Sequence, residues 1–147
     1  YALTQTLMAE LDIESHKKNI ELSLNGEESA HINGNQPAIE ILIRNLLSNA
    51  IRYTPEHGQV GVEITETSGM VQLCVTDTGP GIPEQDLTRV FERFYRGEEN
   101  QHIIGSGLGL SIAQRIAELH NAQIDFIQAD SNAGLKVIVK FNNSESR

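Results

Sequence analysis

The sequence predicts an α+β fold: a two-layer α/β sandwich in which a mixed sheet carries its helices on one face. Three observations support this. Alternating apolar segments come in pairs, "QVGVEITE" with "MVQLCVTD" and "AQIDFIQAD" with "LKVIVKF", each joined by turn residues. Segments of helical spacing separate the pairs. The resulting order is helix, two strands, helix, two strands, helix, loop, helix, hairpin. That order lacks the strict strand–helix alternation of a doubly wound parallel sheet.

"YALTQTLMAELDIESHKKN" spaces Leu3, Leu7 and Leu11 four apart and predicts a short amphipathic helix. "IELSL" alternates as a strand, and "EESAHINGN" is expected to hold a second short strand ending in a turn. In "NQPAIEILIRNLLSNAIRYTPEHG", Asn35 is the expected N-cap and Pro37 suits the first helical turn. Ile39, Leu42, Ile43, Leu46, Leu47 and Ala50 form one apolar face, and Pro55 disfavours helix at Thr54. The next two strands turn at Ser68-Gly69. "DTGPGIP" then breaks all regularity, and "PEQDLTRVFERF" restarts a helix. "YRGEENQHII" lacks periodicity and reads as a loop. "GLGLSIAQRIAELH" is the last helix, with Asn121 as its candidate C-cap, and a hairpin follows.

The length of 147 residues suits one domain spanning 1–147, with a frayed tail from about residue 142. The apolar runs are too short to span a bilayer. Cys74 is the sole cysteine and reads as a buried structural thiol. The net charge of −9 has the wrong sign for a nucleic-acid binder, so none is expected as a partner. An anionic small ligand would need a locally basic site. The chain starts mid-pattern at Tyr1 and is expected to be a piece of something longer.

Four constellations bear on chemistry. Asn45, Asn49 and Arg52 lie within roughly 60° of arc on the long helix, beside its apolar face. Asparagine is a poor helix former, and its amide oxygen suits a hard cation such as Mg²⁺, with Arg52 available to phosphate. Taken alone, the stripe is equally well explained by solvated asparagines. Asp77 ends an apolar strand just before Gly79 and Gly81, where a carboxylate can accept from an amino group. A plain Asp-Gly turn accounts for the bare tripeptide as well. Gly105, Gly107 and Gly109 precede a helix whose first N–H groups favour an anion. No lysine-type phosphate loop is present, and Leu110 stands where a dinucleotide loop needs its third glycine. "FERFYRG" supplies Arg93 and Arg96 among aromatic anchors. The five histidines show no metal-ligand spacing, and "HKK" at 16–18 is too short for a basic patch.

In this order the motifs closely resemble the ATP-binding catalytic domain of bacterial two-component sensor histidine kinases. That domain belongs to the GHKL superfamily, with its Bergerat-type fold, shared with type II topoisomerases, heat-shock chaperones and mismatch-repair ATPases. "NLLSNAIRYTP" looks like its N box, "DTGPGIP" and "GSGLGLSIA" match its two glycine boxes, and "FERFYRG" is similar to its F box. The resemblance runs from about Leu3 to Phe141. It implies ATP and Mg²⁺ as cofactors, with Asn49 as the principal Mg²⁺ ligand and Asn45 assisting at the metal or phosphates. It places Arg52 on the phosphates, Tyr53 against the adenine and Asp77 on the adenine amino group. Gly79, Gly81 and Ile82 would shape the pocket floor. Arg96 would contact phosphate at the base of an ATP lid at about Gly97–Ile104. Gly105, Gly107, Leu108 and Gly109 would form the lid hinge and the phosphate-facing helix start. Asn45, Asn49, Arg52 and Arg96 are the implied catalytic set.

The implied activity is transfer of the γ-phosphoryl to a histidine on a separate dimerisation domain, for relay to a response regulator. The parent would be a homodimeric inner-membrane sensor, with this domain on its cytoplasmic side. Three departures stand out. Leu135 follows Gly134 where the family usually has threonine, "GEENQH" leaves the lid's middle without a basic residue, and no phosphoacceptor box is present. The alternatives are an ATPase that drives conformational change and a non-catalytic nucleotide-sensing module. ATPase relatives place a glutamate where this chain has Asn45, which favours transfer to histidine.

Overall fold

The 18-residue helix that the sequence marks most strongly organises the molecule. In the computed structural model, residues 1–32, 34–79, 109–128 and 134–142 are described. The helices are α1 (Ala2–Glu10), α2 (Asp12–Lys17), α3 (Gln36–Tyr53) and α4 (Gly109–Leu119). The strands are β1 (Glu21–Gly26), β2 (Gln59–Thr67), β3 (Met70–Asp77), β4 (Gln123–Gln128) and β5 (Leu135–Asn142).

At the start of α3, the Asn35 side chain accepts from the Ala38 N–H at 3.0 Å, and Pro37 lies in the first turn. The helix stops at Thr54, which turns extended before Pro55. All six expected core positions of α3 are buried, and Ile51 joins them. Each buried leucine or isoleucine contributes about 1.5–3 kcal/mol, and the Ala50 methyl about 0.8 kcal/mol, so this face fixes the helix on the sheet.

The five strands form one mixed sheet in the order β1-β2-β3-β5-β4. β1 runs parallel to β2, and the other pairs are antiparallel. The β2–β3 turn has positive φ at both Ser68 and Gly69, the backbone that a tight hairpin of this hand requires. Val60, Val62 and Ile64 of β2, Val71, Leu73 and Val75 of β3, and Leu135, Val137, Val139 and Phe141 of β5 face the helices. Leu7, Met8 and Leu11 from the N-terminal segment and Ala113, Ile116 and Ala117 from α4 complete the same core. The expected two-layer α+β sandwich is therefore the observed one.

Three details differ from expectation. The first helix is two, because the chain bends at Leu11, which stays buried while α2 turns toward β1. No strand forms among the described residues of "EESAHINGN". Gly26 at φ +124° carries the chain off the sheet, the Glu27 N–H closes onto the Ile64 carbonyl, and a turn follows. Cys74 is a buried free thiol as expected, but it alternates out of phase with Leu73 and Val75 and so lies on the face away from the helices. The expected helix at 83–94 lies outside the described residues. Asn121 does adopt the left-handed conformation after α4, and the Ala122 N–H returns to the Ala117 carbonyl.

The two faces of α3 make opposite predictions. Leu42 is fully buried, so Leu42→Ala should cost about 3 kcal/mol in urea unfolding. Ile41 is among the exposed residues, so Ile41→Ala should stay within about 0.5 kcal/mol of the parent. Equal effects would place the wrong face against the sheet.

Candidate functional site

Strand β3 runs through the centre of the sheet and ends at Asp77, whose Cα partner on β2 is Val60. The carboxylate is buried, with 8% of the residue exposed. Its Oδ1 accepts from the Gly79 N–H at 2.9 Å and from the Leu135 N–H at 3.3 Å. Oδ2 has no partner among the described residues. Burial pushes the Asp77 pKa above its ordinary 3.8, while the two backbone donors pull it down.

The raised value has a definite sign. The folded state takes up this proton at higher pH than the unfolded chain. Asp77 therefore favours folding most below its ordinary pKa, and that contribution is lost as pH rises through the folded value. A carboxylate at neutral pH is thus kept here at a cost to stability.

Two glycines let the backbone close around this group. A Cβ on Gly79 would lie 2.6 Å from the Tyr53 carbonyl oxygen, so the end of α3 touches the end of β3 here. Gly134 has φ +94°, and a Cβ there would fall 1.9 Å from the Asp77 carbonyl oxygen. Leu135 follows and is buried in the core. Its side chain is apolar where the family usually has threonine, as the sequence shows, while its main-chain N–H reaches Asp77.

The C-terminal half of α3 carries the polar stripe. Arg52 Nη1 donates to Asn49 Oδ1 at 3.2 Å. One turn earlier, the Asn45 Nδ2 is buried with no hydrogen-bond partner among the described residues. Asn45, Asn49, Arg52 and Tyr53 are all half-buried. Thr54, which sequence reasoning did not single out, is fully buried and its hydroxyl donates to the Ala50 carbonyl at 2.6 Å. Lys18 was also missed. Its ammonium donates to the Ile51 and Arg52 carbonyls, each at 2.9 Å. These contacts join segments 33 and 34 residues apart, which no local pattern reveals.

The structure thus brings Tyr53, Asp77 and Gly79 together, with Asn45, Asn49 and Arg52 along the adjoining helix. Gly109 opens α4, which packs against α3. Gly81, Ile82, Arg96, Gly105, Gly107 and Leu108 lie outside the described residues, as does the segment 97–104. An apolar cavity of about 420 Å³, lined by Ile39, Ile43, Ile64, Val71, Leu73 and Phe141 among others, contains none of these site residues. It lies toward the opposite end of the sandwich, at the start of β3 and the end of β5.

Residues 34–145 match the family described as histidine kinase-, DNA gyrase B-, and HSP90-like ATPase. The chain belongs to this ATPase family. It is 36% identical over 137 residues to the sensor protein kinase PmrB of Pseudomonas aeruginosa, covering 93% of this chain and 28% of PmrB. It is 41% identical over 114 residues to the sensor protein QseC of Escherichia coli, covering 78% of this chain and 24% of QseC. The chain therefore spans less than a third of these curated relatives. Among solved structures, the mycobacterial sensor histidine kinase MprB superposes with a TM-score of 0.83 at 27% identity, covering 95% of this chain and 94% of that one. The nucleotide-free catalytic domain of histidine kinase ThkA has the same fold, with a TM-score of 0.85 at 24% identity over 97% of this chain and 92% of that one. Among the described residues no helix is long and apolar enough to cross a membrane.

Gly134 provides the sharpest test of this geometry. Gly134→Ala forces a side chain into the Asp77 carbonyl at positive φ and should destabilise the fold by about 2 kcal/mol or more. A thermal melt unchanged from the parent would show that β5 does not close on Asp77.

Proposed function

We propose that this chain is the ATP-binding catalytic domain of a sensor histidine kinase. In this reading it binds Mg²⁺-ATP between the ends of α3 and β3. The γ-phosphoryl goes to a histidine on a separate dimerisation domain of the parent, and from there to a response regulator. The parent is read as a homodimeric membrane sensor with this domain in the cytoplasm. A solved relative, ThkA, is recorded in complex with the response regulator TrrA.

The observation that carries the proposal is the Asp77 carboxylate. A buried acid at the end of the central strand has one oxygen held by backbone N–H groups and the other unpartnered among the described residues. That leaves one acceptor for the exocyclic amine of adenine. Tyr53 at the end of α3 is read as supplying a ring for the base to pack on, and Gly79, Gly81 and Ile82 are read as its floor. Gly105, Gly107, Leu108 and Gly109 are read as the hinge and helix start facing the phosphates.

The polar stripe fits a metal–phosphate head. Among the described residues no three His, Cys, Asp or Glu side chains gather into a metal cage. A divalent cation here would rest on the Asn49 amide oxygen, with Asn45 assisting and phosphate oxygens and water filling the shell, as suits Mg²⁺. When bound, Mg²⁺ supplies charge neutralisation across the transferring phosphoryl group. The Asn45 Nδ2 is a buried donor without an acceptor among the described residues, and a phosphate oxygen would be one. Arg52 and Arg96 add fixed positive charge against the chain's overall negative field. Phosphoryl transfer asks mainly for positioning and charge neutralisation, and these residues supply both. Hydrolysis would need a base to activate water, and the amide of Asn45 cannot serve as one. This favours transfer over a hydrolytic cycle.

Two measurements test the reading. Calorimetry of the domain with ATP should show binding that Mg²⁺ strengthens. Asn49→Ala should remove the Mg²⁺ dependence. Asp77→Asn, which keeps the acceptor for Gly79 and Leu135, should fold yet lose about tenfold or more in affinity. Absence of heat with millimolar ATP and Mg²⁺ would end the proposal. With γ-labelled ATP, the domain alone should stay unlabelled, while the parent's histidine-bearing segment added in trans should gain label. Stable self-labelling of this fragment would show that the acceptor assignment is wrong.

A further inference from the structure

A helix ends with four carbonyl groups that have no intrahelical donor, and its C-terminus carries partial negative charge. In α3 these carbonyls belong to Ala50, Ile51, Arg52 and Tyr53, and two of these residues are read as nucleotide contacts. The Ala50 carbonyl is closed by the Thr54 backbone N–H at 3.1 Å and by the Thr54 hydroxyl. The next two are taken by Lys18, whose ammonium lies 2.9 Å from both Ile51 and Arg52 oxygens. The Tyr53 carbonyl is the one against which Gly79 packs.

Lys18 is itself held in place. Its carbonyl accepts from the His57 N–H at 2.9 Å, in the turn that follows α3. Its own N–H donates to the Ser15 carbonyl at 3.1 Å, and Ser15 is buried. Asn19 then reverses the chain at φ +54°, and the Glu21 N–H bonds to the Gly58 carbonyl. The α2–β1 connection therefore grips the end of α3 from outside the nucleotide side. Removing the ammonium from water to make these contacts pushes the Lys18 pKa down. The adjacent Lys17 is exposed and has no such contact among the described residues.

We propose that Lys18 is a positioning residue for the nucleotide site: its ammonium caps the C-terminus of α3 and so holds Arg52 and Tyr53 where phosphate and base meet them. It touches neither ligand. Charge-assisted bonds to two consecutive carbonyls stop the last turn from fraying, and the cation offsets the negative end of the helix close to where an anionic triphosphate would sit. The inference rests on the nucleotide reading of this site.

The test compares Lys18→Met, Lys18→Arg and Lys17→Met in two readouts, both well below the melting temperature. One is Mg²⁺-ATP affinity by calorimetry. The other is hydrogen exchange of the Tyr53 and Thr54 amides without nucleotide. Lys18→Met should weaken Mg²⁺-ATP binding about tenfold, by the scale of hydrogen bonds to charged groups. It should also speed exchange at these two amides while leaving α4 and the core strands protected. Lys18→Arg, which keeps the charge and donors, should restore affinity to within about threefold of the parent. Lys17→Met should change neither readout. If Lys18→Met lowers thermal stability but binds nucleotide like the parent, Lys18 is merely structural and the proposal falls. Should that variant fail to fold, Lys18→Gln is read by the same criteria. A parent chain that binds no Mg²⁺-ATP sinks the proposed function instead, a distinct outcome visible before any variant is made.

Discussion

The buried carboxylate of Asp77 is the constraint around which the rest of the site is arranged. An acid out of water at the end of a central strand must be hydrogen-bonded or neutral. Here two backbone N–H groups, from Gly79 and Leu135, share one of its oxygens. For the Leu135 N–H to arrive, β5 must begin almost on top of the Asp77 backbone, which demands the left-handed Gly134. For the Gly79 N–H to arrive, the chain must pass flat against the Tyr53 carbonyl, which demands glycine there as well. One carboxylate thus explains two glycines, the start of one strand and the contact between α3 and β3. Its folded pKa lies above the ordinary value, so retaining charge at neutral pH works against stability.

The second organising element is the end of α3. A helix C-terminus is negative and suits cations. The described structure places two cationic side chains there in different roles. Lys18 approaches from the α2–β1 connection and satisfies carbonyls. Arg52 extends along the polar stripe to the Asn49 amide. In a chain of net charge −9, this local arrangement resolves the apparent conflict with a polyanionic ligand. The apolar face of the same helix, packed on β3 within the core shared with β2 and β5, keeps the stripe fixed relative to Asp77. The core therefore serves the site directly, through the rotation of one helix about its axis.

Much of this was legible in the sequence because the signals are local. Asn35 and Pro37 mark the start of α3, Pro55 marks its end, and the spacing from Ile39 to Ala50 marks its buried face. Ser68-Gly69 marks its hairpin for the same reason. The motifs around Asn49 and Asp77 were legible only as a resemblance, and the approach of Gly79 to the Tyr53 carbonyl is a finding of the structure that no local pattern announces. What escaped was non-local or context-dependent. Alternating Ala30 and Ile32 look like a strand, yet Gly26 has already turned the chain off the sheet. Lys18 reads as part of a short charged run, because its carbonyl partners lie more than thirty residues away. The clasp of Leu135 on Asp77 spans 58 residues and leaves no local pattern. Leu135 itself looked like a lost polar contact, but only the side chain was in question and the main-chain donor remains.

The most direct test of the account is to see where the nucleotide lands. In an isotope-labelled domain titrated with Mg²⁺-ATP, the Gly79 and Leu135 amides report on the Asp77 carboxylate, and the Asn45 and Asn49 side-chain amides report on the polar stripe. The account predicts that all four shift together and saturate with one dissociation constant. It also predicts that the residues around the cavity at Ile39, Ile64 and Phe141 hold their positions. Saturable binding that moves the cavity residues and leaves Gly79 and Leu135 unshifted would contradict it.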